Sequence, residues 1–227
     1  MEKQSGFTLS LKIFQAALGL FIFSFGLAMT IQANVGLGPW ECLSMGTTKH
    51  IPLSYGIVHT IISVCILLAD LALKEKIGFA TLLDTFLVGN FVEFFLWLGI
   101  IPLNHGLVTG ALMFIPSVFI MACGQCFYMA AGQGCGPRDT LLLALGKRMP
   151  RVPIGVVQTG ILGTALLLGF LMGGPVGLGT VLFVFGSGFA LQTVTRLAHF
   201  EPRKVVHQNL MQACRSVSFG NKKRAYN

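Results

Sequence analysis

The chain has 227 residues, of which 54% are hydrophobic and only 11% carry a charge. A soluble domain usually carries roughly 25% charged residues, so there is too little charge here to cover a surface in water. This composition argues against a soluble globular protein and indicates an integral membrane protein. The 28 glycines agree with that class, because small residues let membrane helices approach closely.

Six apolar stretches are long enough to cross a bilayer, since a spanning helix needs about 20 apolar residues. They lie at about residues 10–32, 54–73, 79–99, 107–131, 153–172 and 178–198. The runs lack the alternation of polar and apolar side chains that the strands of a membrane barrel show, and helices satisfy their own backbone groups in hydrocarbon. The predicted fold class is therefore an all-α membrane protein with six transmembrane helices.

Two copies of one unit fill most of the chain. A run from Gly26 to Glu41 ends in Gly-Leu-Gly-Pro-Trp-Glu, and 98 residues later the run from Gly124 to Asp139 ends in Gly-Cys-Gly-Pro-Arg-Asp. After one inserted residue, further matches recur 99 residues later for Gly56, Thr60, Gly78, Thr81 and Gly89. Internal repeats define an architecture, and this one predicts three-helix repeats at residues 10–100 and 107–200. The match also favours a first span that is retained over one that is cleaved as a signal peptide.

The positions of Lys and Arg predict the orientation, because short cytoplasmic loops are rich in them. Basic residues precede the first span, follow the second, fourth and sixth, and are absent from the loops at 101–106 and 173–177. We therefore expect a cytoplasmic N-terminus at residues 1–9 and a basic cytoplasmic tail at residues 201–227, with Lys49 as the exception. Three spans per copy would invert the second repeat relative to the first, a plan that many secondary transporters share.

The same topology predicts the partners of the chain. It accounts for the net charge of +8, so no nucleic-acid partner is expected. The basic tail is expected to lie against anionic lipid headgroups of the bilayer. A homodimer is a further open alternative.

Each copy breaks after its first span at Gly-x-Gly-Pro and continues in a short helix, Trp40 to about Lys49 or Arg138 to about Met149. Proline is favoured at the first helical position. Glu41 and Asp139 fall in the first turn, where a carboxylate meets the positive end of the helix dipole. These helices are too short to span, so they either lie at the interface or enter the protein as re-entrant helices. The carboxylates either cap a helix only, or the two elements converge on one asymmetric site.

The Gly-x-Gly-Pro elements, with the later pairs Gly78–Thr81 and Gly177–Thr180, resemble the YczE/YitT/YyaS group of bacterial membrane proteins over about residues 10–200. The first copy departs from that family in reading Pro-Trp-Glu where the family has Pro-Trp-Asp. The resemblance implies a polytopic protein of the bacterial inner membrane and implies no defined substrate.

A charge within a predicted span costs roughly 2.5–3.5 kcal/mol on insertion scales. Asp70 has a favourable i,i+4 arrangement with Lys74 near the cytoplasmic end, whereas three deeper residues lack such a partner in sequence. His59 and Glu93 lie at matching depths of about 9 Å in neighbouring spans, at ~1.5 Å per residue, and we expect them to form a coupled pair. Asp84 lies at a similar depth from the cytoplasmic end of the span at 79–99. The equivalent residues of the second copy are Gln158, Gln192 and Phe183. These groups either fix helix packing or handle substrate or protons.

The sequence predicts a small secondary transporter or exporter of a small polar or amphipathic solute. The alternative is a non-transporting membrane factor that supports the assembly or regulation of a partner. The predicted substrate-binding residues are Trp40, Glu41, Arg138, Asp139, His59, Glu93, Asp84, Gln158 and Gln192. The Cys123-x-x-Cys126 pattern, which elsewhere signals redox chemistry or metal binding, lies within an apolar span, where thiols behave as small hydrophobes. No other catalytic, metal-ligating or cofactor-binding pattern is recognisable, so neither an enzyme nor a cofactor is expected.

Overall fold

The computed structural model describes residues 6–75 and 77–199. In that part of the chain it contains eight helices and no strand: α1 (Gly6–Ala33), α2 (Pro39–Thr48), α3 (Tyr55–Ala72), α4 (Phe79–Leu98), α5 (Leu107–Ala130), α6 (Pro137–Arg148), α7 (Ile154–Leu171) and α8 (Leu178–Leu197). All except α2 and α6 are long and apolar enough to cross a membrane, which confirms that the six predicted stretches are helices of spanning length. The tail predicted at 201–227 lies outside the described residues, and α1 begins within the segment predicted at 1–9.

The centre of the bundle is the crossing of α1 with α5, the first helices of the two halves. Gly19 and Gly124 lie at this crossing. A Cβ atom on Gly19 would stand 2.5 Å from the backbone nitrogen of Tyr128, and one on Gly124 would stand 2.6 Å from the carbonyl oxygen of Gly19. Only glycine permits such a close approach of two backbones, the usual use of small residues between membrane helices. Against this pair pack α4, on α1, and α8, on α5.

Each Gly-x-Gly-Pro sequence forms a tight turn that leads into a short helix. Gly36 and Gly134 have φ angles of 103° and 114°, in the left-handed region that L side chains rarely adopt. The helix α2 then begins at Pro39, and α6 begins at Pro137. Proline suits these positions because its missing N–H would have no helical partner there.

Each turn is bonded to the start of the last helix of the other half. The N–H of Gly179, in α8, donates to the carbonyl of Val35 at 2.7 Å, and the N–H of Ala80, in α4, donates to the carbonyl of Gln133 at 2.9 Å. Gly179 and Ala80 occupy equivalent positions in the two copies, and so do Val35 and Gln133. The two halves are therefore held together by a pair of matching backbone hydrogen bonds.

The far end of each short helix is also held by the other half. At the end of α2, which packs on α7, His50 Nε2 lies 3.2 Å from the carbonyl of Met172, the residue after α7. The helix α6 packs on α3. At its end, Arg148 Nη2 donates to the carbonyl of Leu73, the residue after α3, at a distance of 2.9 Å. These pairs also occupy equivalent positions in the repeat. Both short helices are thus fixed at each end.

Candidate functional site

The first turns of α2 and α6 meet through an ion pair. Arg138 Nη1 donates to Glu41 Oε1 at 2.8 Å, and the side chains are 19% and 3% exposed. Taking two charges out of water costs several kcal/mol per ion, so a buried pair persists only where its geometry and hydrogen bonds are good. The structure thus brings together one residue from each Gly-x-Gly-Pro element.

Local structure fixes the position of the Glu41 carboxylate. Glu41 lies in the first turn of α2, where the helix dipole stabilises a carboxylate by typically about 0.3–1 kcal/mol. A Cβ atom on Gly38 would stand 2.5 Å from Glu41 Oε2 and 3.0 Å from the ring of Phe183. Gly38 therefore leaves the space that the carboxylate occupies.

Trp40 covers the guanidinium of Arg138. The Cζ atom of Arg138 lies 5.2 Å from the centroid of the Trp40 ring, within the range of a cation–π interaction. A planar guanidinium can stack on an aromatic ring and still donate in its own plane. Trp40 and Arg138 are equivalent residues in the two copies. A position at which the copies differ is therefore one at which they contact each other.

His59, from α3, completes the cluster. Its Nε2 lies 2.8 Å from Arg138 Nη2. A guanidinium can only donate, so Nε2 accepts this hydrogen bond and the proton of a neutral imidazole is on Nδ1. In the described part of the chain, Nδ1 and the hydroxyl of Tyr55 are buried without a hydrogen-bond partner. The two rings lie 5.9 Å apart, between centroids.

A second polar group lies beside the start of α6. The hydroxyl of Tyr128 donates to Asp139 Oδ2 at 3.4 Å. A Cβ atom on Gly136 would stand 2.7 Å from Asp84 Oδ2 and 3.5 Å from the Tyr128 hydroxyl, so both carboxylates border one small region. Burial raises the pKa of Asp139 above its ordinary value of 3.8, while the Tyr128 hydrogen bond and the charge of Arg138 lower the pKa only in part.

An apolar cavity of about 490 Å³ extends from Trp40 between α2, α6 and α7. Its wall is mostly aliphatic and reaches Met149 and Val152, in the connection between α6 and α7. Trp40 belongs both to this wall and to the stack on Arg138. A molecule in the cavity would therefore touch the ring that covers the guanidinium.

The predicted pairing of His59 with Glu93 is wrong. Glu93 Oε2 accepts a hydrogen bond from Ser54 Oγ at 2.7 Å, whereas His59 bonds Arg138. Equal depth in neighbouring helices does not make two side chains face each other. Glu93 packs beside Gly56, nearly one turn before His59 along α3, and His59 is directed at a helix from the other half.

The other predicted residues divide into two sets. Trp40, Glu41, Arg138 and His59 lie together, with Asp84 and Asp139 beside the start of α6. Gln158 and Gln192 are exposed on α7 and α8 and lie outside the cluster.

Sequence reasoning missed Tyr55 and Tyr128. Both are buried, and the chain has only three tyrosines. A buried tyrosine hydroxyl usually finds a hydrogen-bond partner, so a tyrosine near the repeated element was a usable signal.

Comparisons with known proteins agree with a membrane protein. The chain is 29% identical over 201 residues to an "Uncharacterized protein" of Haemophilus influenzae, covering 87% of this chain and 89% of the relative. It is 30% identical over 176 residues to the "Uncharacterized membrane protein YczE" of Bacillus subtilis, covering 77% and 80% of the two chains. It is 27% identical over 185 residues to "Uncharacterized protein YyaS" of the same organism, covering 80% and 90%.

No solved structure matches the chain. With six helices that could span and a membrane-protein relative, this is a membrane protein. The family model described as "Family of unknown function (DUF6198)" matches residues 10–196. Since that match covers most of the sequence, the chain belongs to the DUF6198 family.

Proposed function

We propose that the protein is a small secondary transporter or exporter of the bacterial inner membrane, and that Glu41, Arg138, Trp40 and His59 form its substrate site. The observation that carries the proposal is the 2.8 Å ion pair between Glu41 and Arg138. It joins the starts of two short helices inside a membrane protein. Secondary transporters commonly bind substrates where the N-termini of such half-helices meet.

The proposal includes an inverted repeat of two halves, each with three spanning helices and one re-entrant helix. The matching hydrogen bonds of Gly179 with Val35 and of Ala80 with Gln133 support it, because each joins equivalent positions of opposite halves. An odd number of spans per half gives the two halves opposite orientations. The distribution of basic residues favours cytoplasmic termini.

Unpaired polar atoms beside the ion pair favour ligand binding over a purely structural role. His59 Nδ1 and the Tyr55 hydroxyl are buried and unpaired in the described chain. A buried group without a partner costs about 1–3 kcal/mol, so native proteins seldom keep one without a reason. We assign these two atoms to the polar group of the solute.

The cavity favours an amphipathic solute. Its wall is mostly aliphatic, and Trp40 connects it to the ion pair. A solute with an apolar body and a polar head could place the body in the cavity and the head near His59 and Arg138. Apolar lining with a few oriented polar groups is the usual composition of small-molecule sites.

Proton coupling is assigned to Asp84 and Asp139 in preference to Glu93. Asp84 lies beside Gly136, two residues before Arg138, and Asp139 accepts a hydrogen bond from Tyr128, whose hydroxyl is also near Gly136. Glu93 is instead bonded to Ser54. A carboxyl whose pKa is raised by burial, as that of Asp139 is, takes up a proton more readily in the working pH range.

Solute counterflow in proteoliposomes tests the proposal. The panel contains zwitterionic amino acids, aliphatic carboxylates and quaternary amines with short and long apolar chains. We expect at least one class to accumulate, and we expect Arg138→Gln and Glu41→Gln each to lower its initial rate at least tenfold. The control is Lys147→Gln, which breaks the peripheral ion pair with Glu75 and should leave the rate within twofold.

Two results would count against transport. One is that no solute of the panel exchanges, which is the result expected if the protein is a non-transporting membrane factor. The other is counterflow that Arg138→Gln and Lys147→Gln reduce equally, because a loss shared with a peripheral lysine does not concern the cluster.

A further inference from the structure

The helices α3 and α4 touch through two glycines. A Cβ atom on Gly56 would stand 2.7 Å from the Gly89 carbonyl oxygen, and one on Gly89 would stand 2.5 Å from the Gly56 carbonyl oxygen and 3.0 Å from the Thr60 hydroxyl. The hydrogen bond from Ser54 to Glu93, 2.7 Å long, lies at the same contact. In the first half, α3 and α4 are therefore in direct contact, with no space between them at these residues.

The second half has the same glycines and threonine, but Pro153 and Gln192 replace Ser54 and Glu93, and the contact is absent from the described part of the chain. Gly155, Thr159 and Gly188 are the counterparts of the α3–α4 contact residues in the repeat, and all three are exposed. A Cβ atom on Gly155 or on Gly188 would meet no atom within 4 Å. Among the described residues, α7 and α8 make no packing contact comparable to that of α3 with α4.

The cavity lies against α2 and α6, on the same helix, α7, that lacks the second contact. It extends from Trp40 to Met149 and Val152, and its wall includes Val156, the neighbour of Gly155 on α7. The substrate cluster is thus approached along the start of α7. At the start of α3, by contrast, Gly56 is in contact with Gly89 of α4.

We propose that α7 closes on α8 through Gly155, Thr159 and Gly188 when α3 separates from α4, and that these two states expose the Glu41–Arg138 cluster to opposite membrane faces in turn. Small residues that let helices approach are present in both halves, yet only one half uses them here. Alternating access through inverted repeats requires that the two repeats share one architecture and adopt different conformations. This inference rests on the proposed function and specifies how its site is reached.

Disulfide trapping tests the missing contact without any solute. The six native cysteines are replaced by alanine, and Gly155→Cys is combined with Gly188→Cys. Both substitutions fit the structure, since neither new Cβ meets an atom within 4 Å. We expect copper phenanthroline to form an intramolecular disulfide in proteoliposomes, because the closed state brings these positions together.

The control pair is Gly163→Cys with Gly186→Cys. These glycines also have open space around them, but their counterparts in the first half are Val64 and Leu87, not the glycines that meet between α3 and α4. We expect this pair to cross-link at least tenfold more slowly than the Gly155–Gly188 pair. Equal rates would mean unspecific collisions and would overturn the proposal.

The coupling between the halves is tested by a wedge at the closed contact. Gly56→Val places methyl groups against α4 and should raise the rate of the Gly155–Gly188 cross-link at least threefold, while Gly160→Val, in open space, should not. If Gly56→Val does not accumulate, the smaller Gly56→Ala takes its place. An unchanged rate would mean that the two contacts are independent and would overturn the proposal.

Two further outcomes also contradict the inference. Absence of any Gly155–Gly188 disulfide means that the difference between the halves is permanent. A disulfide between two chains means that a second copy, not α8, covers this face of α7. Each result leaves the counterflow experiment unaffected, so failure of the conformational proposal can be told from failure of the transport proposal.

Discussion

Arg138 and Glu41 are 97 positions apart in the sequence, and their charged atoms are 2.8 Å apart in the fold. Each residue lies in the first turn of a short helix, and each helix belongs to a different half of the chain. The ion pair forms where the two halves of the chain meet. It therefore connects the architecture of the protein to its candidate site.

We expect the ion pair to contribute to stability as a unit. Arg138→Gln should lower the free energy of unfolding by about 3–5 kcal/mol, because it leaves a buried carboxylate without its partner. Adding Glu41→Gln should recover part of that loss, since no buried charge then remains. A double-mutant cycle of unfolding in detergent measures the coupling.

The exposed ion pair provides the control for this cycle. Lys147, whose side chain is 65% exposed, lies 2.7 Å from Glu75. Exposed pairs contribute about 0–1 kcal/mol, so Lys147→Gln should have a small effect. Additive losses for Arg138→Gln and Glu41→Gln would show that the two side chains do not interact.

The role of His59 is tested by exchanging it for its counterpart in the repeat. In His59→Gln, as at Gln158, a side-chain oxygen can still accept from Arg138, so the loss of stability should be small. His59→Leu removes the acceptor and should cost about 1–3 kcal/mol, the usual range for an unsatisfied buried donor. Thermal unfolding of the two variants measures the difference, and equal losses would contradict the hydrogen bond.

The turn glycines should be far less tolerant than glycines in open helix positions. Gly36 has a φ of 103°, and a Cβ atom there would stand 2.8 Å from the Cα of Gly177. Gly36→Ala and the equivalent Gly134→Ala should each destabilise the protein by at least about 2 kcal/mol, because strain and collision add. Denaturant or thermal unfolding measures the loss.

A helical glycine without neighbours is the control for the turn variants. Gly163 lies within α7, and a Cβ atom there would meet nothing within 4 Å. Gly163→Ala should leave stability unchanged or raise it by about 0.5–1 kcal/mol, from helix propensity. Turn variants as stable as Gly163→Ala would show that the left-handed turns are not needed.

The buried carboxyl of Asp139 predicts a pH dependence. Burial raises the pKa of this carboxyl above 3.8 in the folded protein, so the folded state binds more protons than the unfolded state just above that pH. The stability of the wild type should therefore fall as the pH rises from about 3.8 through the folded pKa. Asp139→Asn lacks this loss, so its Tm relative to that of the wild type should rise over the same window.

Thermal unfolding between about pH 4 and pH 8 measures this difference in Tm. Tyr128→Phe removes a hydrogen bond that lowers the pKa of Asp139, so it should move the window to higher pH. A relative Tm of Asp139→Asn that falls with rising pH would contradict the raised pKa.

The sequence predicted the spans well, because long apolar runs leave few alternatives in a bilayer. It also brought attention to Trp40, Glu41, Arg138 and Asp139, since the same turn and helix start occurred in both copies. The observed contact between Arg138 and Trp40 could not be predicted. A repeat indicates which positions are equivalent, but it does not say which equivalent residues touch.

The error at Glu93 has a definite physical cause. Depth along a helix follows from counting residues, but the direction of a side chain depends on which neighbour the helix packs against. The helix α3 contacts both α4 and α6, so His59 and Glu93 could satisfy the depth argument and still point apart. Gly56 and Gly89, which set the approach of α3 to α4, were recognised only as repeat markers.

Quenching of Trp40 fluorescence is the most direct test of the central claim, that the Glu41–Arg138 cluster is a solute site. The chain has two tryptophans, so Trp97→Phe leaves Trp40, which borders both the cavity and Arg138, as the single reporter. In proteoliposomes we expect aqueous iodide to quench its emission and brominated lipids to leave it largely unchanged. Emission that iodide leaves unchanged would show a centre closed to water and would contradict the account.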